Sequence, residues 1–144
     1  MKAIVVGTDG SETAEQALRE AGDIARSMGA KLHIVSAYVP AAGARVGGSE
    51  GPERSQWFVG PDVQVDNVLD RAAGQMHTRG IETECHARKG DPADALLAVA
   101  EEEGADMIVV GNKGMTGTKR FLLGSVPNKV SHHAPCSVLI VRTT

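Results

Sequence analysis

Apolar positions along this chain alternate between short continuous runs and stripes spaced three or four residues apart. Lys2–Gly7 (KAIVVG) is such a run and predicts a buried strand. Thr8-Asp9-Gly10-Ser11 reads as a turn. Ser11 is suited to cap a helix, and Glu12 and Glu15 stand in its first turn, where the dipole favours acids. Ala14, Ala17, Leu18, Ala21, Ile24, Ala25 and Met28 then share one helical stripe, and Gly29 stops it. Leu32–Val39 is a second strand, closed by Pro40. Residues 41–60 show no period and hold five glycines, which predicts a long loop of the kind that is mobile or functional. Trp57-Phe58 is an apolar pair within it that is expected to dock by packing.

Periodicity returns at Pro61. Val65, Val68, Leu69, Ala72, Ala73 and Met76 mark a second helix, running to about Arg79 and ended by Gly80. Ile81–Arg88 alternates strictly, with Ile81, Thr83, Cys85 and Ala87 on one side and Glu82, Glu84, His86 and Arg88 on the other. That pattern predicts a half-exposed strand at a sheet edge. Asp91 as N-cap and Pro92 at the first helical position open a third helix with Ala95, Leu96, Val99 and Ala100 inside. Gly104 closes it, and Glu101-Glu102-Glu103 reads as a solvated helix end. Met107–Gly111 is a fourth strand, Ser125–His133 a fourth helix and Val138–Val141 a fifth strand, apolar on both faces.

Strand and helix alternate throughout, which predicts an α/β fold: a doubly wound five-stranded parallel sheet with four helices, Rossmann-like, with right-handed crossovers. The edge character of the third strand makes 3-2-1-4-5 the simplest order. It brings the ends of strands one and four together, where ligands sit in sheets of this kind. At 144 residues the chain is expected to be one domain, 1–144. Aromatic residues are only 3% of it, so Val, Ile, Leu and Ala must form the core. Cys85 and Cys136 match no metal spacing and are expected as buried, reduced thiols. Met1-Lys2 enters the first strand directly, and no apolar run approaches the ~20 residues of a membrane span. A cytoplasmic location without a membrane partner is therefore expected.

Charge draws attention to one stretch. The net charge is −3, yet residues 107–144 hold five of the fifteen basic residues and no carboxylate. This acid-free tail contains the glycine-rich passage between the fourth strand and the fourth helix, with Gly111, Gly114, Gly117 and Gly124, the cations Lys113, Lys119 and Arg120, and Ser125 as cap and donor. A strand that empties through glycines onto a helix N-terminus offers backbone N–H groups and a positive dipole end to an anion. Thr8-Asp9 faces this loop in the expected strand order. Five charges in an acidic chain do not suggest a nucleic-acid partner.

The spacing Gly111-x2-Gly114-x9-Gly124-Ser125 resembles the nucleotide-binding signature G-x2-G-x9-G-S/T of the universal stress protein family. VVGTDGSE near the start and LLGSV with APCSVLIV near the end are similar to that family too. The resemblance covers nearly the whole chain apart from residues 41–60. It implies a homodimer that, in its ATP-binding branch, holds ATP and acts as a stress-response sensor or switch. By position, Asp9 would contact the ribose or a Mg²⁺ ion, and the backbone near Gly7 and Ser36 would frame the adenine. Val110 and Gly111 would line the site. Lys113, Gly114, Met115, Thr116 and Gly117 would wrap the phosphates, and Gly124, Ser125 and Val126 would complete the cradle. Ser36-Ala37-Tyr38-Val39-Pro40 and Gly124-Ser125-Val126-Pro127 resemble a subgroup with cyclic-AMP binders among its actinobacterial members, so cyclic AMP is the alternative ligand.

Other readings of the same residues are bland or catalytic. Asp9 could serve only as an Asx-type turn residue. His132 and His133 are adjacent, point about 100° apart on a helix and suit its C-terminus. No G-x4-G-K-[ST], no G-x-G-x-x-G and no clear general base is present, so any nucleotide hydrolysis, with Asp9 and Mg²⁺, is expected to be slow. The bare fifth strand invites isologous pairing with a second copy through Val138–Val141.

Overall fold

The computed structural model describes residues 1–38, 51–112 and 123–143, with the backbone alone for 51–63. Five strands, β1 (Ala3–Gly7), β2 (Lys31–Tyr38), β3 (Thr83–Lys89), β4 (Met107–Gly111) and β5 (Ser137–Val141), alternate with four helices. These are α1 (Glu12–Met28), α2 (Gly51–His77), α3 (Pro92–Glu103) and α4 (Ser125–His133). All strand pairs are parallel, and the order is β3-β2-β1-β4-β5. This is the doubly wound sheet that the alternating pattern predicts.

The central strands are apolar on both faces because both faces are covered. Ile4, Val6, Leu32, Ile34 and Val109 pack under α1 and α2, against Ala17, Leu18, Ala21, Ala25, Leu69, Ala72 and Met76. Val5, Val35, Ile108 and Val110 pack on the opposite face with Leu96, Val99 and Ala100 of α3 and Val126 and Val130 of α4. Complete burial of side chains such as Ile4 and Val5 stabilises the fold by about 1.5–3 kcal/mol each.

Helix ends follow the local chemistry. The Ser11 hydroxyl accepts the Ala14 N–H (3.2 Å) at the start of α1, and Gly29 ends the helix in the left-handed conformation at φ 65°. The Asp91 carboxylate accepts the Asp94 N–H (3.0 Å), Pro92 follows it, and Gly104 closes α3 at φ 61°. Among the described residues no helix is long and apolar enough to cross a membrane.

Several local expectations are corrected. α2 begins at Gly51, ten residues before Pro61. Its first turns escape a periodicity reading because their apolar residues, Trp57, Phe58 and Val59, are consecutive rather than striped. Pro52 and the helix formers Glu53, Arg54 and Gln56 still favour a helix start there. The docking of Trp57-Phe58, and the part of the expected loop up to residue 50, lie outside the described residues. Met28, at the last position of α1, is exposed rather than inward. In β3 the buried central residue is His86, from the polar side of the alternation, whereas Cys85 is exposed. Cys136 is half-buried, so neither thiol is the buried residue expected. β3 is an edge strand whose inner neighbours, β2 and α3, supply polar partners for His86.

Candidate functional site

The site forms where the winding of the sheet reverses, at the C-terminal ends of β1, β2 and β4. Register places these ends side by side: Gly7 pairs with Val35, and Val6 lies between Ile34 and Val109. The Thr8 N–H continues the ladder to the Val35 carbonyl at 2.9 Å. The chain then turns sharply. The Gly10 N–H donates to the Thr8 hydroxyl (3.1 Å) and the Ser11 N–H to Asp9 Oδ1 (2.9 Å), which turns the backbone straight into α1. Asp9 therefore does make the Asx bond, and it does so with one carboxylate oxygen while the residue stays exposed. Gly10 adopts φ 84°, and a Cβ there would stand 3.0 Å from Val68 Cγ2, so the turn requires glycine.

A groove of about 600 Å³ opens beside this turn. Asp9 and Gly10 form one wall, Ser36, Ala37 and Tyr38 of β2 the floor, and Val65, Val68 and Arg71 of α2 part of the other wall. Apolar and polar groups converge in it, as small-molecule sites require. Ser36 is 3% exposed, and its hydroxyl has no hydrogen-bond partner among the described residues. A buried polar group of that kind on a groove wall is suited to a ligand.

On the β4 side, Gly111 lies against the start of α1: a Cβ added to it would meet Thr143 Cγ2 at 3.4 Å and the Thr13 carbonyl at 3.8 Å. Val110 is buried with its side chain in the core between the sheet and α3 and α4, so only its backbone can face the site. Asn112 fastens three segments. Its N–H donates to the Val141 carbonyl (2.9 Å), and its carbonyl accepts the Gly124 N–H (2.9 Å). Its side-chain oxygen accepts from the N–H and hydroxyl of Thr143 at 2.9 and 2.8 Å. The glycine passage thus leaves and re-enters the fold at one hydrogen-bonded neck. Lys113, Gly114, Met115, Thr116 and Gly117 lie outside the described residues.

Where the chain re-enters, α4 differs from α1 and α3. Its N-cap is Gly124, with no side-chain cap, and Ser125 is the first helical residue rather than the cap expected of it. Pro127, in the third helical position, has no N–H to offer. Helix geometry leaves the amides of Ser125 and Val126 as the donors of this end. Ser125 is exposed and Val126 is buried. Lys129 is held instead by Asp94 (2.8 Å) and Asp91 (3.5 Å), away from the groove, and these carboxylates raise its pKa.

Gly7, Asp9, Ser36, Val110, Gly111, Gly124, Ser125 and Val126 are thus gathered at one end of the sheet. Arg71 and Asn112 are not singled out in the sequence reading, Val68 enters it only as part of a helix stripe, and Tyr38 only as part of the SAYVP passage. The apolar face of α2 was legible, but nothing in its spacing says that one turn of it overhangs β2. Asn112 follows the buried run directly, and an amide at the mouth of a glycine passage was the available signal.

Comparison with known proteins agrees with this architecture. The sequence model of the universal stress protein family matches residues 1–142. A universal stress protein of Mycobacterium tuberculosis is 40% identical over 145 residues, covering 99% of this chain and 97% of the relative. A universal stress protein solved in complex with cAMP superposes with a TM-score of 0.76 at 34% identity, covering 99% and 98% of the two chains. One from Archaeoglobus fulgidus in complex with dAMP superposes with a TM-score of 0.69 at 28% identity, covering 97% of each. Matched by the family model over residues 1–142 and by a relative at 40% identity over nearly its whole length, the chain belongs to the universal stress protein family.

Proposed function

We infer that this chain, acting as one domain over residues 1–144, binds an adenine nucleotide in the groove at the ends of β1, β2 and β4. The observation that carries the reading is the buried Ser36 hydroxyl, without a hydrogen-bond partner among the described residues, on a groove that Asp9 borders. The base and ribose occupy the groove against Ser36, Tyr38, Val65 and Val68, with the second Asp9 oxygen accepting from a ribose hydroxyl. Phosphate lies at the α4 N-terminus on the amides of Ser125 and Val126. Lys113, Gly114, Met115, Thr116 and Gly117 complete its cradle, with Gly124 allowing close approach. ATP, with or without Mg²⁺ at Asp9, is the first reading, and a cytoplasmic stress sensor or switch is its role. Support comes from the G-x2-G-x9-G-S spacing and from the relatives crystallised with cAMP and dAMP.

Cyclic AMP is the second reading, favoured by the relative in complex with cAMP at 34% identity and by Pro127, which limits α4 to two N-terminal amide donors. Slow hydrolysis of ATP through Asp9-bound Mg²⁺ is compatible with the first reading but has no general base to speed it. Nucleotide released from the denatured protein and identified by mass spectrometry, followed by thermal shifts with ATP, AMP and cyclic AMP with and without Mg²⁺, decides among them. A ligand at about 100 times its dissociation constant stabilises the fold by about 2.7 kcal/mol. The absence of any shift with all three nucleotides would falsify the reading. The half-exposed edge strand β5 supports an isologous homodimer through Val138–Val141.

A further inference from the structure

A second constellation lies far from the groove, toward the starts of the strands. His33 is the third residue of β2, and Glu84 and His86 are the second and fourth of β3. Register pairs His33 with Glu84 and Val35 with His86. Alternation therefore turns His33, Glu84 and His86 to the same face of the sheet, the one that α3 covers. α3 runs back along the strands and ends at Glu103, which brings that carboxylate over the pair.

The geometry is convergent. His33 Nδ1 and His86 Nε2 stand 3.0 Å apart, with the rings tilted by 34°. Glu84 Oε2 is 3.7 Å from His86 Nε2. One ligand atom from each of His33, Glu84, His86 and Glu103 lies within 4.8 Å of all the others. The imidazoles are 3% and 9% exposed, whereas the carboxylates face solvent. We propose that His33, His86, Glu84 and Glu103 form a binding site for a single divalent transition ion, of which zinc fits best.

Ligand chemistry selects the ion. Two imidazole nitrogens exclude Mg²⁺ and Ca²⁺, which take oxygen shells, and favour zinc and its neighbours in the first transition row. Two carboxylates balance the charge of a divalent cation. A tetrahedron with metal–ligand bonds near 2.0–2.1 Å has edges of about 3.3 Å. The two histidine nitrogens are already near that separation, and only the surface carboxylates must draw in. Glu84 is steadied from outside by Lys31, which bonds Oε1 at 2.8 Å and leaves Oε2 turned toward the histidines. An outer-shell contact of this type orients a metal-ligating group. With the ion bound, β2, the edge strand β3 and the end of α3 become cross-linked.

Untagged protein, stripped with a chelator and dialysed, should take up one zinc per chain by elemental mass spectrometry. Its melting temperature should rise with equimolar zinc and not with the same concentration of Mg²⁺. Cobalt substitution should give the strong visible absorption of a four-coordinate site. His86→Gln should abolish stoichiometric uptake. Glu84→Gln and Glu103→Gln, both at the surface where folding is undisturbed, should each weaken zinc binding by at least about tenfold, since loss of even an outer-shell partner does as much. Adenine-nucleotide shifts should be the same in these variants, because the groove is at the other end of the strands. No uptake by the wild-type chain overturns the proposal. So does zinc affinity unchanged in both glutamate variants, which would place the ion elsewhere, for example at the exposed His132-His133. If His86→Gln fails to fold, the glutamate variants and the cobalt spectrum decide.

Discussion

Two residues carry more of the site than their size suggests. Gly10 holds φ 84° with Val68 packed over it. Gly10→Ala should destabilise the fold by about 1–2 kcal/mol, from the left-handed backbone alone, and should push Val68 out of the groove wall. Urea titration measures the first effect and nucleotide thermal shift the second. Asn112 is the other. Its side-chain oxygen holds Thr143, so Asn112→Ala should cost about 1 kcal/mol for bonds lost at a half-buried position. It should also loosen the segment after β5 in hydrogen exchange. A third residue sets part of the acid response. Asp106 Oδ2 accepts the Lys2 N–H (2.7 Å) and the Ala3 N–H (3.0 Å), and these backbone donors hold its pKa below the usual aspartate range. A depressed folded-state pKa means that the contribution is complete above the unfolded value of about 3.9. It is lost as pH falls through the folded value. Asp106→Asn should flatten the acid limb of the stability curve, and chemical denaturation between neutral and strongly acid pH would show it. An unchanged limb would show that these bonds are as strong with a neutral partner.

Elements were legible where one local rule acted alone. Ser11, Gly29, Asp91-Pro92 and Gly104 mark ends of α1 and α3 because caps depend only on residues next to them. Strand ends were read to within about two residues for the same reason. Tertiary competition obscured the rest. His86 is buried and Cys85 exposed in β3, although the Cys85 thiol reaches the Leu69 carbonyl of α2 at 3.6 Å, because alternation assigns the two faces but not how fully each is covered. The packing of α1 on α2 was equally hidden. Gly22 was one glycine in an alanine-rich stripe, yet a Cβ there would come within 2.8 Å of Met76 Sδ and 2.7 Å of an Arg79 guanidinium nitrogen. Arg79 reaches solvent beside Asp23 and can move, but Met76 is 1% exposed and cannot. Overpacking costs of about 1–3 kcal/mol then outweigh the gain of about 1 kcal/mol in helix propensity. Gly22→Ala should lower stability by about 1 kcal/mol, and calorimetry would detect it. A rise in melting temperature would mean that the two helices have slack the packing does not show.

At the scale of the molecule, alternation of elements and one edge-like strand were enough to order the sheet, and the sheet order in turn set the ends of β1 and β4 side by side. The same topology leaves β5 as an edge on which a second copy can pair. β5 is an outer strand, and Val138, Leu139, Ile140 and Val141 are all half-buried, a degree of exposure that apolar strands seldom keep without a neighbour. Val138 and Ile140 pack on one side of the sheet and Leu139 and Val141 on the other, so a second β5 laid alongside across a two-fold axis would extend both cores at once. If the edge is paired in this way, dissociation precedes or accompanies unfolding, and the unfolding midpoint must rise with protein concentration. Ile140→Lys introduces a charge on that edge while leaving β4 pairing through the backbone. It should give a monomer in light scattering at tens of micromolar, with the far-ultraviolet spectrum of the parent and a midpoint that no longer depends on concentration. A parent chain that is itself monomeric under those conditions, or an Ile140→Lys chain that remains dimeric, would move the interface off β5.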